Sequence, residues 1–363
     1  MPALELLFWV CVAALAWTHL AYPAAIAFAA RVRPRRVRTG DFLPRVAVIV
    51  AAHDEEAVIA RRVENLLALD YPREALEVIV SSDASTDRTD ELAAAAGARV
   101  VRCPRGGKVA AQDRAVRETD AEVVAFSDAN AVWPADTLRT LVRALADPEV
   151  AFVCGQVRLE TPDGSNKEGL YWRYEMALRE AESRLGSITG SNGAIYAVRR
   201  SDYVEVDPRF GHDLSLPYLM VQRGRRAVYD PEALSFEKPT PSNETEYRRK
   251  VRMFEHCWLM VLRGRMLRGV GPLYALQLLS HRHLRYLSGL LHLVLLATSA
   301  ALATTSWVYA AALVLQLAWL AAAAAGVGIA RYTVLVNWAT VVALCNYLRR
   351  GVPATWKVAE GTR

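Results

Sequence analysis

Cysteine is scarce in this chain: five residues in 363, namely Cys11, Cys103, Cys154, Cys257 and Cys345. No two of them form a C-x-x-C pair, and no histidine stands at zinc-ligand spacing from any. Those absences argue against a disulfide framework and a structural zinc site. They fit a polar portion that lives in a reducing compartment. There is no internal repeat and no low-complexity tract outside the Ala-rich apolar stretches. A nucleic-acid motif is lacking too, and aromatic residues do not interleave with the basic runs. The net charge of +6 therefore points to a membrane surface and anionic ligands, not to nucleic acid. Gly106-Gly107-Lys108 is not a Walker loop, because no distant glycine and no following Ser or Thr complete the pattern. Finally, residues Tyr286 to Ala330 carry no Asp, Glu, Lys or Arg at all.

What is present begins with apolar sequence, since hydrophobic residues make up 53% of the chain. Ala3 to Ala30 holds a single charge, Glu5. It is long enough to cross a bilayer, too long for the apolar core of a signal peptide, and has no basic residue ahead of it. We expect a transmembrane helix over 1–30. Arginines at 31, 33, 35, 36 and 38 then crowd a juxtamembrane linker over 31–44. By the positive-inside rule they put the following domain in the cytoplasm. Near the other end, Leu267 to Ser280 is largely apolar but broken by Gly269, Gly271 and Pro272, which suits an interfacial segment over 263–285. Residues 286–350 suit two spans with a turn at Thr304-Thr305-Ser306, then a third over Tyr332 to Leu348. A tail of 351–363 follows. An even total of spans would put that tail outside, against the charges of Arg349, Arg350 and Lys357. Either one segment does not cross or the rule fails, and the sequence leaves both open. The chain is thus expected to be a multi-pass protein of the cell membrane.

Between these apolar ends, 45–262 alternates strand and helix patterns. Apolar runs begin at Val46, Leu76, Arg99 and Val123, with helical patterns toward Leu69, from Thr89, over Val109 to Arg117 and from Asp136. That alternation argues for an α/β fold with a mostly parallel sheet. In such sheets ligands bind beyond the carboxyl ends of the strands. The loops expected there are rich in chemistry: Ala52-His53-Asp54-Glu55, Ser82-Asp83-Ala84-Ser85-Thr86-Asp87, Gly106-Gly107-Lys108 and Ser127-Asp128-Ala129-Asn130. A carboxylate at such a strand end holds a hard divalent cation together with a phosphate-bearing ligand. Further on, strands are expected over Phe152 to Leu159 and Arg225 to Pro231. Between them lie a turn at Asp163-Gly164-Ser165-Asn166, a helix over Leu170 to Arg184 and the small-residue loop Gly190-Ser191-Asn192-Gly193. Small residues let a backbone approach a ligand closely. Asp213 follows Gly211 and His212 at a helix start, where capping and catalysis are both open readings. Arg249 and Arg252 share a helix face, either as a phosphate clamp or as a solvated surface.

Taken in order, these motifs resemble the membrane-embedded branch of glycosyltransferase family 2, whose familiar members are the cellulose, hyaluronan and poly-N-acetylglucosamine synthases. The resemblance runs from about Arg45 to the end. It implies a GT-A domain, Rossmann-like, flanked by transmembrane helices. Such an enzyme uses a nucleotide-diphospho-sugar, here a UDP-sugar, with Mg²⁺ or Mn²⁺, and transfers the sugar with inversion. The implied donor-binding residues are Ala52, His53, Glu55, Asp83, Lys108, Arg249 and Arg252. Asp128 and Asn130 would hold the metal, with Asn130 replacing the family's second Asp. Gly190, Ser191, Asn192 and Gly193 would face the acceptor. Asp213 would be the general base, with His212 in place of the family's Glu. Arg252 alone survives of the Gln-x-x-Arg-Trp motif, and Met253 replaces its Trp. The Ser280-His281-Arg282-His283-Leu284-Arg285 stretch and the closing Thr355-Trp356-Lys357 also resemble this branch. The implied partners are the sugar donor, a polysaccharide or lipid-linked acceptor, membrane lipids and subunits of a synthase complex. Single addition to a polyprenyl phosphate, or an inactive nucleotide-binding scaffold, are the alternative activities.

Overall fold

The computed structural model describes residues 1–159, 170–238 and 243–355. The expected turn at Asp163 and the residues Trp356 and Lys357 lie outside them. The chain opens with α1 (Pro2–Ala16), a π-helical turn (Trp17–Ala21) and α2 (Tyr22–Val32). An α/β stretch follows: β1 (Val46–Ala52), α3 (Ile59–Leu67), β2 (Leu76–Asp83), α4 (Thr89–Ala95), β3 (Arg99–Cys103), α5 (Lys108–Arg117), β4 (Val123–Ser127) and α6 (Thr137–Arg143). Next are β5 (Val150–Leu159), α7 (Leu170–Leu185), β6 (Ile195–Arg199), α8 (His212–Gln222) and β7 (Arg226–Glu237). The chain continues through α9 (Asn243–Arg263), α10 (Pro272–Leu278), a second π-helical turn (Leu279–His283), α11 (Leu284–Leu302), α12 (Trp307–Ala324) and α13 (Gly328–Arg350).

By contacts the chain divides into two compact units. Among the described residues, one comprises 26–159, 170–238, 266–271 and 353–355. It is built on a seven-stranded sheet of order β3-β2-β1-β4-β6-β5-β7. The pairs β1·β2, β1·β4, β2·β3 and β5·β7 are parallel, while β6 runs antiparallel to both of its neighbours. The inner strands β1 and β4 are nearly continuous apolar runs because helices cover both faces. Alternation still sorts their side chains, two residues to the repeat. Val46, Val48 and Val50 enter one core with Ile59, Val63 and Leu66 of α3. Ala47 and Ile49 enter the other with Phe126, Tyr196 and Leu216. All five residues of β4 are buried. Burial of each large side chain there contributes about 1.5–3 kcal/mol.

β7 corrects one expectation. The strand expected over Arg225 to Pro231 does not stop there but bulges and continues to Glu237. The register passes from Cys154↔Tyr229 to Gln156↔Leu234 and on to Leu159↔Glu237. Pro231, which has no N–H for the ladder, sits in the exposed bulge, a position that tolerates it. Arg143 anchors the bulge, donating from Nε and Nη2 to the Asp230 carboxylate at 2.9 and 3.1 Å. The extension carries β7 back across the sheet end, where Val132 and Phe236 exchange backbone hydrogen bonds of 2.9 and 2.8 Å.

The second unit comprises, among the described residues, 1–25, 243–265 and 272–352. Phe8, Cys11 and Leu15 of α1 pack with Leu295 and Leu302 of α11 and Tyr309 of α12. α9 belongs to this unit, so the boundary expected at 262 falls before α9 instead. The Trp258 indole N–H donates to the Thr340 carbonyl at 2.9 Å, and buried Glu255 accepts from Asn346 and Arg350 of α13 at 2.7 and 3.0 Å. Residues 272–302 form one continuous helical run. Pro272 begins it at the first position, where proline's missing N–H costs no helical bond. Among the described residues, four helical stretches are long and apolar enough to cross a membrane: Pro2–Val32, Pro272–Leu302, Trp307–Ala324 and Gly328–Arg350.

Candidate active site

The loops after β1, β2 and β3 are sewn together by side chains accepting from backbone N–H groups. Asp54, at φ 53°, accepts from Thr86 N at 2.7 Å, while Glu56 N donates to Asp87 at 3.0 Å. Glu55 N donates to the Thr89 hydroxyl at 2.7 Å. The buried Asp83 carboxylate accepts from Gly106 N at 2.7 Å and Gly107 N at 3.0 Å, and pairs with Arg105. Asp83 thus fixes the shape of the Gly-Gly-Lys loop ahead of α5. Gly107 has two reasons to be glycine. Its φ is 91°, and a Cβ would lie 2.2 Å from the carbonyl oxygen of Ala354, in the tail after α13. Ala52 ends β1, buried, and His53 lies 3.5 Å from the Asp54 carboxylate. Of the residues expected to bind the donor, Ala52, His53, Glu55, Asp83 and Lys108 lie on these neighbouring loops. Arg249 and Arg252 lie on α9 in the other unit, where Arg249 pairs with Glu246 at 2.9 Å.

The next strand end brings in the remaining groups. The Lys108 ammonium pairs with Asp128 and also donates to the Gly193 carbonyl at 3.1 Å. A Cβ on Gly193 would stand 3.5 Å from Lys108 Nζ and 3.8 Å from Asp213 Oδ2. Asp128, Lys108, Gly193 and Asp213 therefore converge on one spot. Burial opposes the charged form of Lys108, but Asp128 and then Asp213 outweigh it and hold its pKa above the ordinary value. Of the Gly190–Gly193 loop, only Gly193 is placed against both Lys108 and Asp213. Asn192 turns away and donates to the Gly155 carbonyl at 2.9 Å. Ser191 is committed to the backbone of Asp213, with Ser191 N at 2.7 Å and Oγ at 3.0 Å from the Asp213 carbonyl oxygen.

Asp213 is the second residue of α8, where the helix dipole favours a carboxylate. No side chain caps this helix, because Gly211 occupies the cap position. Asp213 is thus placed in the first turn rather than as the cap. His212 beside it is buried and anchored through both ring nitrogens. Its Nδ1 lies 3.2 Å from the Tyr196 hydroxyl, and its Nε2 lies 3.2 Å from the Tyr203 hydroxyl and 3.3 Å from Asp113. Tyr203 donates to Asp113 at 2.5 Å. Burial, then Asp213, pushes the Tyr196 phenol well above its usual range; burial, then Asp113, does the same for Tyr203.

Sequence reading missed this anchor, because Asp113, Tyr196 and Tyr203 belong to no motif. It also missed Arg62, which α3 buries beneath Asp128. Arg62 donates to the Ser127 hydroxyl at 2.6 Å and lies over the Trp133 ring, 4.9 Å from its centroid. Burial pulls the Arg62 pKa below its ordinary value, against the opposing pull of Asp128 and Glu237. An arginine on an amphipathic helix ordinarily faces solvent, so nothing in the sequence marks it.

The donor set fits a divalent cation shared with phosphates. Asp128 supplies a hard oxygen, Asn130 is two residues on, and among the described residues no three His, Cys, Asp or Glu side chains gather as a metal cage. Mg²⁺-type sites often use one or two carboxylates and complete their shell with substrate phosphates and water.

An open sheet with acidic and Gly-rich loops gathered beyond its parallel strands is the GT-A architecture of glycosyltransferases. Residues 47–206 match the sequence model of Glycosyl transferase family 2. It is 35% identical over 164 residues to a Beta-monoglucosyldiacylglycerol synthase of Synechocystis sp., a match covering 42% of this chain and 33% of that protein. With an N-acetylglucosaminyltransferase of Rhizobium meliloti it shares 27% identity over 292 residues, 70% of this chain and 67% of the other. The chain spans about a third of the length of the glucolipid synthases it matches. Among solved structures, the mannosyltransferase PcManGT from Pyrobaculum calidifontis superposes with a TM-score of 0.72 at 24% identity, covering 94% of this chain and 99% of that one. That protein was solved with GDP-mannose and Mn²⁺.

Proposed function

We propose that this chain is a membrane-anchored, inverting glycosyltransferase that uses Asp213 as its general base. The observation that carries the reading is the convergence of Asp213, Lys108, Asp128 and the Gly193 backbone at one end of the sheet. Inversion needs a base on the acceptor hydroxyl, opposite the leaving diphosphate. Asp213 has the chemistry to take that proton. Lys108 supplies positive charge for the departing diphosphate, where stabilisation of developing charge lowers the barrier most. Asp128, with Asn130, would hold the divalent cation, and the cation would screen the diphosphate when bound. Ala52, His53, Glu55 and Asp83 then form the nucleotide side, and Gly193 the acceptor side. Arg249 and Arg252 remain proposed phosphate contacts.

The donor proposed is a UDP-sugar. The acceptor proposed is a lipid hydroxyl or a lipid-linked saccharide, for two reasons: four described helices are suited to a bilayer, and relatives bear the names of glucolipid synthases. The catalytic unit is proposed to face the cytoplasm of a multi-pass plasma-membrane protein. The test is a screen of the purified protein in lipid against UDP- and GDP-sugars, with Mg²⁺ or Mn²⁺ and diacylglycerol or polyprenyl phosphate. Product mass and anomeric configuration are the readouts. A β-linked product from an α-linked donor supports the reading; an α-linked product, or no product from any donor, overturns it.

A further inference from the structure

The helix that carries Asp213 has a proline in its interior, Pro217. Proline has no N–H, so the carbonyl four residues earlier lacks its usual helical donor. That carbonyl belongs to Asp213. A buried carbonyl left without a donor is destabilising unless something fills it. Here Ser191 fills it twice, with its N–H at 2.7 Å and its hydroxyl at 3.0 Å. Ser191 is itself buried, two residues before Gly193, whose carbonyl binds Lys108. The break in the helix thus creates the acceptor through which the 190–193 loop is tied to the backbone of Asp213.

We propose that Pro217 and Ser191 are positioning residues. By leaving the Asp213 carbonyl open and then capping it, they fix the distance between the Asp213 carboxylate and the Lys108–Gly193–Asp128 cluster. This proposal rests on Asp213 being the base. It reassigns Ser191, which the motif comparison would place against the acceptor. His212 holds the same turn from the buried side, so the turn is clamped on two sides and the carboxylate is set between them.

The experiment uses the full chain in lipid with the donor–acceptor pair found in the screen above. Pro217→Ala supplies a competing helical N–H for the Asp213 carbonyl. Amides 190–193 should then exchange with deuterium several-fold faster, as a hydrogen bond worth about 1 kcal/mol is weakened. The kcat should fall ~10-fold or more, because small displacements of a reacting group are that costly. Donor Kd should stay within about two-fold, as the donor does not touch the turn. Ser191→Ala should show the same split between kcat and Kd, and Ser191→Thr, which keeps the hydroxyl, should recover the rate. A purely structural role predicts a lower Tm with kcat unchanged. Should Pro217→Ala fail to fold, the Ser191 pair decides. Wild-type kcat in Ser191→Ala, alongside an inactive Asp213→Asn, overturns the positioning proposal and leaves the base reading standing. An Asp213→Asn enzyme with wild-type kcat overturns both.

Discussion

Gly211 offers the sharpest perturbation of the site. Its backbone, at φ −69° and ψ 133°, is one any residue adopts, so alanine there meets no conformational strain. The obstacle is the carboxylate of Asp213, which folds back over the position. An added Cβ would lie 2.4 Å from Asp213 Oδ1, whereas ordinary contact begins at 3.4 Å. In Gly211→Ala the carboxylate must therefore retreat by about 1 Å, a displacement that costs roughly 10²-fold in rate when it falls on a reacting group. The fold should lose little, since alanine is only a somewhat poorer cap residue than glycine, by about 1 kcal/mol or less. Initial transfer rates at saturating donor, the donor Kd from titration calorimetry and a thermal melt separate the effects. We expect a hundred-fold lower kcat, a Kd within about two-fold and a Tm within a few degrees. A variant with wild-type kcat would refute the claim that the observed Asp213 rotamer is the working one.

Four further outcomes follow from the same geometry. Asp213→Asn keeps size and polarity and should bind donor normally but lose at least ~10²-fold in turnover; Asp213→Ala should match it, whereas a helix-cap role would leave Asp213→Asn active. Asp128→Ala should abolish Mn²⁺ binding in the presence of the nucleotide, read by calorimetry, while Asn130→Asp should retain or tighten it; chelator-insensitive transfer would contradict the metal role. In Lys108→Met, Mn²⁺ should bind at least as tightly as in wild type, because an ammonium no longer competes for Asp128, yet turnover should fall as the diphosphate loses a positive charge. For orientation, a cysteine introduced at exposed Arg223, in a Cys345→Ser background, should resist a membrane-impermeant maleimide applied to intact cells; rapid labelling would reverse the cytoplasmic assignment.

The parallel strands were legible because each is an apolar run that stops abruptly in polar loop chemistry. Asp83, Lys108 and Asp128 stand out for the same reason, and Asp213 by its place after Gly211 and His212 at a helix start. The antiparallel insertion of β6 was not legible, because Ile195–Arg199 is buried on both faces and its five residues read alike in either direction. Nor was the continuation of β7, since Asp230-Pro231 is a turn signal unless something such as Arg143 holds the bulge from outside the strand. Within the site, sequence spacing put Ser191 and Asn192 beside Gly193 as equals. Only the three-dimensional arrangement separates them, because the partners that claim Ser191 and Asn192, the Asp213 and Gly155 carbonyls, are backbone atoms with no sequence signature. Arg62 and the Tyr196–His212–Tyr203–Asp113 group escaped for the complementary reason: their polar atoms are satisfied by distant residues, and distance along the chain hides such pairs.

The tail that shelters Gly107 bears on how the chain is threaded. Ala354 lies against the loop after β3, in the same compact unit as the sheet, although three apolar helical stretches intervene between residues 272 and 350. A polypeptide that departs from one side of a bilayer and comes home to that side has made an even number of complete passages. Were these stretches in a bilayer with the sheet unit on one side of it, such a return would let at most two of Pro272–Leu302, Trp307–Ala324 and Gly328–Arg350 go all the way through. On that count Arg349 and Arg350 would close the last helix on the face that carries Arg31 to Arg38, as the charge bias of the two ends would require.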